Sequence, residues 1–391
     1  MTKHPVEEGQ GPLIAPLPFS GEEYTARLSK LRAAMEAKGL DVFIAFSPEN
    51  IFWLTGHDSP AYHYVQACVV THDSPPVNML RRIDATNTLL RSWARRAVSY
   101  GDADEPMEVL AGVIHDMKGS NAKVGVETDS FFVSARRFDI LRRLLGRSLI
   151  PAQLVEPLRL VKSAEELATI RAAARITKAA METAVSMARE GVNENHIAGA
   201  VWNTLVSMGS EFPGLPPFIV SGPRTSLGHA TWAGHVLAKG DPVVFEIPGV
   251  VNRYVAPQFR SGSVGTPSPE MRRLEAAVLD SLNLLIREIR PGAIAEEVHQ
   301  KSVESFARHG YTVAHRSGYS VGVNYAPDWG EGNLFSIVTG ETRAFEAGMV
   351  FHLVPGIYVP PDFVVVISET IIVTESGAEV ITDFPRQLFS C

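Results

Sequence analysis

The sequence has few cysteines and no long apolar run. Cys68 and Cys391 are the only two cysteines in 391 residues, which excludes a disulfide framework and a thiolate metal cluster. No apolar stretch reaches the length of about 20 residues that a membrane-spanning helix requires. Residues 1–18 are rich in proline and glycine and lack the apolar core of a signal peptide, so we predict an extended arm and a cytoplasmic location.

The sequence also lacks an excess of positive charge, since its formal net charge is -7 at pH 7. A protein that binds nucleic acid or an anionic membrane through its charge carries a basic patch or stripe, and this sequence contains none. We therefore expect neither nucleic acid nor a membrane as a partner.

The chain is long enough for two hydrophobic cores, with 391 residues of which 45% are hydrophobic and 20% charged. In residues 1–158, apolar strand patterns such as "DVFIAFS", "YVQACVVT" and "KVGVETDS" alternate with helical patterns. The first of these helices is predicted from Glu22 to Lys38, with Gly39 as its stop. This alternation predicts an α/β domain with a largely parallel sheet.

Residues 159–391 have a different order of elements. Ser163 and Glu166 form a predicted capping box ahead of a long amphipathic helix. Three further helical patterns follow, at 196–208, 269–289 and 294–308. The remainder is rich in strands, and helices followed by antiparallel strands predict an α+β domain. The predicted fold class of the chain is therefore α+β.

Glu246 is the most informative single residue. It interrupts the apolar strand "PVVFEIPGV", where a carboxylate is costly unless it is paired or used in chemistry. The structural interpretation is an ion pair with Arg253 or Arg260. His229 lies beside Trp232 in the loop "SLGHATW", and a loop histidine is either a surface residue or an acid–base group.

The segment 318–332, "GYSVGVNYAPDWGEG", concentrates aromatic and acidic side chains. It contains Tyr319, Tyr325, Asp328, Trp329 and Glu331. Loops usually spend polar residues on turns and leave aromatic residues to the core. Either the rings pack in the core while Asp328 caps a turn, or the cluster forms a site with Glu246 and His229. His352, in the apolar pattern "GMVFHLV", is likewise a core histidine or a site residue.

Several segments resemble, in order, the creatinase/prolidase/aminopeptidase P family: "VSGPRTSLGHATWAG", "KGDPVVFEIPGVVNRYVAPQFRSGSVG", the segment 318–332, "EAGMVFHLVPGIY" and "ISETIIVTESGAEVIT". The resemblance covers nearly the whole chain. It implies a creatinase-like α/β domain in residues 1–158 and a pita-bread catalytic domain in residues 159–391.

Metal-dependent members of this family bind two ions through five side chains. The corresponding positions here are Glu246, Pro257 or Gln258, Tyr319, Val354 and Ser368. One of the five keeps a carboxylate, and proline, valine and serine do not replace the hard oxygen ligands that a divalent metal needs. We therefore predict that the dinuclear site is lost and that the protein needs no cofactor.

A longer match extends to the ectoine hydrolase branch of the family. The segments "WLTGHDSPAYHYVQ", "RYVAP", "GYSVGVNYAPDWGE", "FHLVPGIY" and "FPRQLF" resemble these enzymes. The resemblance implies opening of a C–N bond in a cyclic amidine, with ectoine converted to N-acetyl-diaminobutyrate. Glu246 would attack the amidine carbon or deprotonate a water, and His229, which matches a catalytic histidine of creatinase, would transfer protons.

Ectoine combines a delocalised amidinium cation with a carboxylate. The cation needs aromatic faces and carboxylate acceptors, and the anion needs an arginine or backbone N–H groups, with Arg81, Arg253 and Arg260 as candidates. The predicted substrate-binding residues are Trp53, Arg81, Trp232, Tyr254, Tyr319, Tyr325, Asp328, Trp329, Glu331, His352 and Glu369. The resemblance also implies a homodimer in which the first domain of a second subunit completes the site.

Three other functions compete with this interpretation. A creatinase-like amidinohydrolase would act on an open guanidino acid with the same catalytic pair. A metal-dependent Xaa-Pro peptidase would need unusual ligands. A protein that binds an osmolyte without catalysis would use the aromatic residues and give Glu246 no role.

Overall fold

The computed structural model describes residues 5–146, 149–313 and 315–391, and the chain divides between Arg159 and Leu160 into two compact units. The helices and strands up to residue 160 are β1 (Glu7–Glu8), α1 (Gly21–Ala37), β2 (Val42–Ala45), α2 (Pro48–Thr55), β3 (Ala67–Thr71), β4 (Val77–Arg81), α3 (Ala85–Arg91), β5 (Arg96–Tyr100), α4 (Pro106–Lys118), β6 (Val124–Val126), α5 (Ala135–Leu145), β7 (Leu149–Pro151) and α6 (Val155–Leu160).

The strands of the first unit form one sheet in the order β1-β5-β4-β3-β2-β6-β7. The prediction of a largely parallel sheet is wrong, because β3 pairs antiparallel with both β2 and β4. Residues 72–76, which join β3 to β4, are too few for the crossover that a parallel connection needs. At the edge of the sheet, Glu7 and Glu8 of β1 pair with Ala97 and Arg96 of β5.

The second unit contains α7 (Ala164–Met187), α8 (Glu194–Ser207), β8 (Phe218–Ser221), β9 (Pro242–Val251), β10 (Tyr254–Ser263), α9 (Pro269–Glu288), α10 (Ala295–Arg308), β11 (Gly318–Tyr325), β12 (Asp328–Gly330), β13 (Ser336–Ile337), β14 (Val350–Leu353), β15 (Gly356–Val359), β16 (Phe363–Val366), β17 (Glu369–Thr374), β18 (Gly377–Val380) and β19 (Phe389–Ser390). Its main sheet has the order β18-β17-β14-β11-β10-β9-β8, with antiparallel neighbours.

The predicted capping box is present at the start of α7. The Ser163 hydroxyl accepts a hydrogen bond from the Glu166 N–H at 3.3 Å, and the Glu166 carboxylate accepts one from the Ser163 N–H at 2.6 Å. Two of the N–H groups that a helix start leaves unsatisfied are thereby bonded. The α+β prediction is confirmed for the fold as a whole.

The two faces of β9 have different surroundings, because successive side chains of a strand point to opposite faces. Phe245 and Ile247 share a core cluster with residues of α7 and α8. Val244, on the opposite face, lies in a smaller apolar cluster that includes Phe259 of β10. Glu246 therefore points away from α7 and α8, on the same face as Val244.

None of the helices in the described residues combines the length and the apolar character that crossing a bilayer requires.

Candidate active site

Glu246 lies in the middle of β9, opposite Phe218 of β8 on one side and Phe259 of β10 on the other. Its side chain is 8% exposed. Among the described residues, none bonds or ion-pairs with its carboxyl group. The interpretation of Glu246 as an ion-pair partner of Arg253 or Arg260 is wrong, because these arginines pair with Glu211 and Glu369.

The protonation equilibrium of the Glu246 carboxyl group is shifted strongly toward the neutral form. Burial raises the pKa of its carboxyl group to about 8, the charge of Asp328 adds to the rise, and the charge of Arg316 opposes it. Most of the Glu246 carboxyl groups in the ligand-free protein are consequently neutral at pH 7. These charge effects also place Asp328 and Arg316 near Glu246.

Three aromatic residues, Phe218, Tyr319 and Trp329, form an aromatic cluster on the Glu246 side of the sheet. The ring centroids of Phe218 and Trp329 are 5.1 Å apart, and the Trp329 Nε1–H donates to the Tyr319 hydroxyl at 3.1 Å. Phe218 also makes an edge contact with His229 at 5.8 Å. Phe218 was not predicted, because an aromatic residue in an apolar strand has the pattern of any core residue.

A hydrogen-bonded chain runs from this cluster into the sheet. The His352 ring lies between the Tyr319 hydroxyl, 2.9 Å from Nδ1, and the Ser368 hydroxyl, 2.6 Å from Nε2. Burial lowers the pKa of His352 to about 3, so the ring is neutral. Burial, and then the charge of Glu246, raises the pKa of Tyr319 well above its ordinary value. Both side chains are buried, and both connect the cluster to the core.

The two acidic residues of the segment 318–332 have different positions. Asp328 is exposed, and its carboxylate accepts hydrogen bonds from the N–H groups of Trp329 at 2.7 Å and Gly330 at 3.1 Å. Glu331 is buried, and its carboxylate forms an ion pair with Lys162 at 2.8 Å. Asp328 thus remains accessible to a ligand, whereas Glu331 holds the segment to the start of α7.

His229 is exposed in a loop that a buried carboxylate organises. Its backbone has a φ of 57°, in the left-handed region that few side chains adopt. Glu194, at the start of α8, accepts hydrogen bonds from the N–H groups of Ser221 at 3.0 Å, before the loop, and Ala233 at 2.6 Å, after it. Trp232 is partly buried against the cluster under α7 and α8. Glu194 was not predicted, because its partners lie far from it in sequence.

Other predicted binding residues of the second unit have structural partners. Tyr254 is buried and donates its hydroxyl proton to Glu166. Tyr325 is buried, with the Arg253 guanidinium 4.3 Å from its ring centroid. Glu369 is buried and ion-pairs with Arg260 at 2.7 Å and with Arg386 at 3.0 Å.

Trp53 and Arg81 belong to the first unit. Trp53 is buried in α2, with the Arg27 guanidinium 5.2 Å from its ring centroid. Arg81 ends β4 and pairs with Asp102 at 2.6 Å. Their predicted part in substrate binding stays a prediction.

The five family metal positions offer a poor set of ligands. Pro257, not Gln258, shares the face of Glu246, because Phe259 lies opposite Glu246 and side chains alternate along β10. The hydroxyls of Tyr319 and Ser368 both bond to His352, and Val354 packs against an apolar cluster. Within the described residues, no group of three or more His, Cys, Asp or Glu side chains could hold a metal ion. These residues do not fit a divalent metal.

Comparison with known proteins defines the family. Residues 168–375 match the family model for metallopeptidase family M24, and residues 27–161 match that for the creatinase/prolidase N-terminal domain. The chain therefore belongs to the M24 family, and the predicted membership of the creatinase/prolidase family is confirmed.

Individual relatives agree with this assignment. The ectoine hydrolase of Halomonas elongata is 31% identical over 394 residues, covering 95% of this chain and 98% of that protein. The uncharacterized hydrolase/peptidase y4tM of Sinorhizobium fredii is 30% identical over 387 residues, with the same coverage of 95% and 98%. Dipeptidase PepE from Mycobacterium ulcerans has a TM-score of 0.82 at 25% identity and covers 95% of this chain and 99% of its own.

These similarities make the protein a hydrolase of the M24 family and confirm its resemblance to the ectoine hydrolase branch.

Proposed function

We propose that this protein is a metal-independent hydrolase that opens a C–N bond of a cyclic amidine carrying a carboxylate, with ectoine converted to N-acetyl-diaminobutyrate. The observation that carries the proposal is the buried Glu246 carboxyl group, which lacks a counter-ion among the described residues and lies beside the aromatic cluster. A delocalised cation would provide the missing charge. The similarity to an ectoine hydrolase supports the choice of substrate.

Binding of the cation would also prepare Glu246 for chemistry. A positive charge within about 4–6 Å of a carboxyl group favours its ionised form and lowers its pKa. The amidinium would therefore release the proton that the empty pocket holds on Glu246, while the faces of Phe218 and Trp329 attract the cation. The exposed Asp328 carboxylate would accept a hydrogen bond from an amidine N–H group.

The proposed reaction uses Glu246 and His229. Ionised Glu246 either removes a proton from water as the water oxygen adds to the amidine carbon, or attacks this carbon itself and is released by water in a second step. The tetrahedral centre collapses with cleavage of one ring C–N bond, and His229 donates a proton to the departing nitrogen. The product is an open-chain N-acetylated diamino acid. We propose that it forms in the cytoplasm, in a homodimer whose second subunit completes the site.

Turnover of ectoine followed by NMR tests the proposal directly. Glu246→Gln keeps the shape of the side chain but removes the base or nucleophile, so we expect the rate to fall at least tenfold, a barrier increase of about 1.4 kcal/mol or more. His229→Ala should cause a loss of the same kind, and the double variant should lose much less than the sum if the two residues act together. Glu304→Gln and His309→Ala, both exposed on or next to α10, are the matched controls.

Each alternative has its own result in the same assay. Turnover of creatine in place of ectoine would indicate an amidinohydrolase, and turnover of an Xaa-Pro dipeptide would indicate a peptidase. Binding of ectoine without conversion, in the wild-type protein, would contradict the proposed catalysis. More than about a tenth of the rate in Glu246→Gln would return Glu246 to a structural role.

A further inference from the structure

The arginines predicted to bind the substrate carboxylate are engaged elsewhere. Arg253 is buried and donates to the carbonyl oxygens of Phe212 at 2.9 Å and Asn324 at 2.6 Å. Arg260 is buried and donates to the Glu369 carboxylate at 2.7 Å. Arg81 lies in the first unit. The carboxylate of the proposed substrate therefore has no partner among the predicted arginines of the second unit.

Arg316 is the arginine that the structure brings to the site. It is half-buried, and its guanidinium carbon lies 4.2 Å from the centroid of the Tyr319 ring. One of its nitrogens, Nη1, donates to the Ser336 hydroxyl at 3.2 Å, and this hydroxyl donates to the Gly332 carbonyl oxygen at 2.7 Å. In the part of the chain that the structure describes, no carboxylate forms an ion pair with Arg316.

The position of the Arg316 guanidinium depends on a glycine. A Cβ atom at residue 332 would lie 2.3 Å from the Arg316 Nη1, far closer than atoms normally approach, and 3.2 Å from the Tyr319 Cβ, which is a tight contact. Only glycine leaves room for the guanidinium between residue 332 and the Tyr319 ring. Gly332 belongs to the segment 318–332, so the sequence that supplies the aromatic and acidic residues also makes space for this cation.

Charges of both signs thus surround the aromatic cluster. Arg316 lies over the Tyr319 ring, and its charge acts on Glu246. Asp328 is exposed on β12 and acts on the same carboxyl group with the opposite sign. A half-buried guanidinium without a carboxylate partner favours an anionic ligand, and a planar guanidinium binds a carboxylate through two parallel hydrogen bonds.

We propose that Arg316 binds the carboxylate of the substrate and makes the pocket selective for zwitterionic amidines over simple amidinium cations. The proposal rests on the proposed function and adds the residue that recognises the anionic half of the substrate. The amidinium then lies toward Glu246 and Asp328, and the carboxylate lies toward Arg316.

Calorimetric titration of the full-length protein with two ligands tests this proposal. The first ligand is ectoine, and the second is 2-methyl-1,4,5,6-tetrahydropyrimidine, the same ring without the carboxylate. All measurements use Glu246→Gln protein, in which turnover does not consume the ligand. Adding Arg316→Met should weaken ectoine binding about 10- to 100-fold. Binding of the ring without the carboxylate should change by no more than about twofold.

Two further variants keep the test interpretable. Arg343→Met removes a guanidinium that also lies over a ring, 4.4 Å from the Phe335 centroid, and should leave both affinities unchanged. Gly332→Ala should displace the Arg316 guanidinium and reproduce the selective loss of ectoine binding if Arg316→Met fails to fold. Thermal unfolding establishes that each variant is folded.

The outcomes separate this proposal from the proposed function. Equal weakening of both ligands, or no change in either, overturns the role of Arg316 even if the wild-type protein converts ectoine. A selective loss of ectoine binding supports it even if the wild-type protein turns over no ectoine, in which case the proposed reaction alone is overturned. Failure of both ligands to bind, together with no turnover of ectoine by the wild-type protein, overturns both proposals.

Discussion

At the scale of single residues, the burial of Glu246 sets the protonation state of its carboxyl group. This state decides whether Glu246 can act as a base or nucleophile. A carboxyl group with a pKa raised to about 8 by burial is mostly neutral in the free protein at pH 7, yet a base or nucleophile must be ionised. The proposed substrate carries the charge that would remove this proton. Binding and activation are therefore linked at one side chain.

The pH dependence of the reaction follows from this linkage. The free enzyme loses the Glu246 proton as the pH rises through about 8, so kcat/KM for ectoine should increase with pH up to about 8 and then level off. The measurement is kcat/KM between pH 6 and 10, over which the Glu246→Gln variant should show no such rise. A rate that falls through pH 8 would instead give Glu246 the role of a general acid.

The same raised pKa makes a prediction for stability. Between its ordinary pKa of 4.5 and about 8, the folded state holds the Glu246 proton more tightly than the unfolded state does. This stabilisation is present at low pH and is lost as the pH rises through about 8. The free energy of unfolding of Glu246→Gln, relative to wild type, should therefore increase by about 2 to 4 kcal/mol from pH 5 to pH 9. Urea unfolding at the two pH values measures the difference, and a constant difference would contradict the raised pKa.

At the scale of elements, the segment after β11 is held in place by a lysine two residues before α7. Lys162, next to the capping box, forms a buried ion pair with Glu331, and Glu331 also accepts a hydrogen bond from the Ser320 hydroxyl at 3.2 Å. Asp328 and Trp329 lie on the short strand β12, which pairs with β11. The start of one helix thus fixes the strand that presents the proposed ligand-binding residues.

Replacing Lys162 tests this connection. Lys162→Met leaves a buried carboxylate without its ammonium partner, which should cost about 3 kcal/mol of stability. Lys162→Met combined with Glu331→Gln should recover part of the loss, because the uncompensated charge is removed. Lys178→Met, which breaks an exposed pair with Asp383, should change the stability by less than about 1 kcal/mol in the same urea titration. Similar losses for Lys162→Met and Lys178→Met would contradict a structural role for the buried pair.

Local features of the fold could be predicted from the sequence better than contacts between residues that are far apart in the chain. The Ser163–Glu166 capping box predicted the start of α7, since caps are local signals. The sheet of the first unit was mispredicted, because strand direction depends on connections that periodicity does not show. Arg316 was missed, since its position depends on Gly332 and on the Tyr319 ring. Tyr254 was predicted to bind substrate, yet its hydroxyl bonds to Glu166, a residue remote in sequence.

At the scale of the whole molecule, the fold is that of the M24 family, whereas the residues at the positions that the resemblance assigns to metal binding fit a divalent metal poorly. At the five family positions, a hydrogen-bonded chain and apolar side chains take the place of most of the ligands. A fold is thus conserved more widely than the chemistry of its site.

Chelation tests whether the activity and the stability of the protein depend on a bound metal. Incubation with EDTA followed by gel filtration should leave both ectoine turnover and the melting temperature unchanged, because the proposed reaction uses no metal and a metal that is not bound cannot stabilise the folded state. Elemental analysis of the untreated protein should find less than stoichiometric zinc, manganese and iron. Loss of activity on chelation, restored by one of these metals, would contradict the proposal. A metal-dependent prolidase treated in parallel is the positive control.

The neutral ring of His352 restricts which hydroxyl proton is available to a ligand. A neutral imidazole has one N–H and one lone pair, so its tautomer decides the direction of both of its hydrogen bonds. The Tyr319 hydroxyl already accepts from Trp329, and the Ser368 hydroxyl already accepts from the Phe259 N–H at 2.6 Å. If Nδ1 carries the hydrogen, Ser368 donates to the ring and Tyr319 keeps its proton for the pocket. If Nε2 carries it, Tyr319 donates to the ring and has no proton left to give. One buried proton thus decides whether Tyr319 offers a bound molecule a donor or an acceptor.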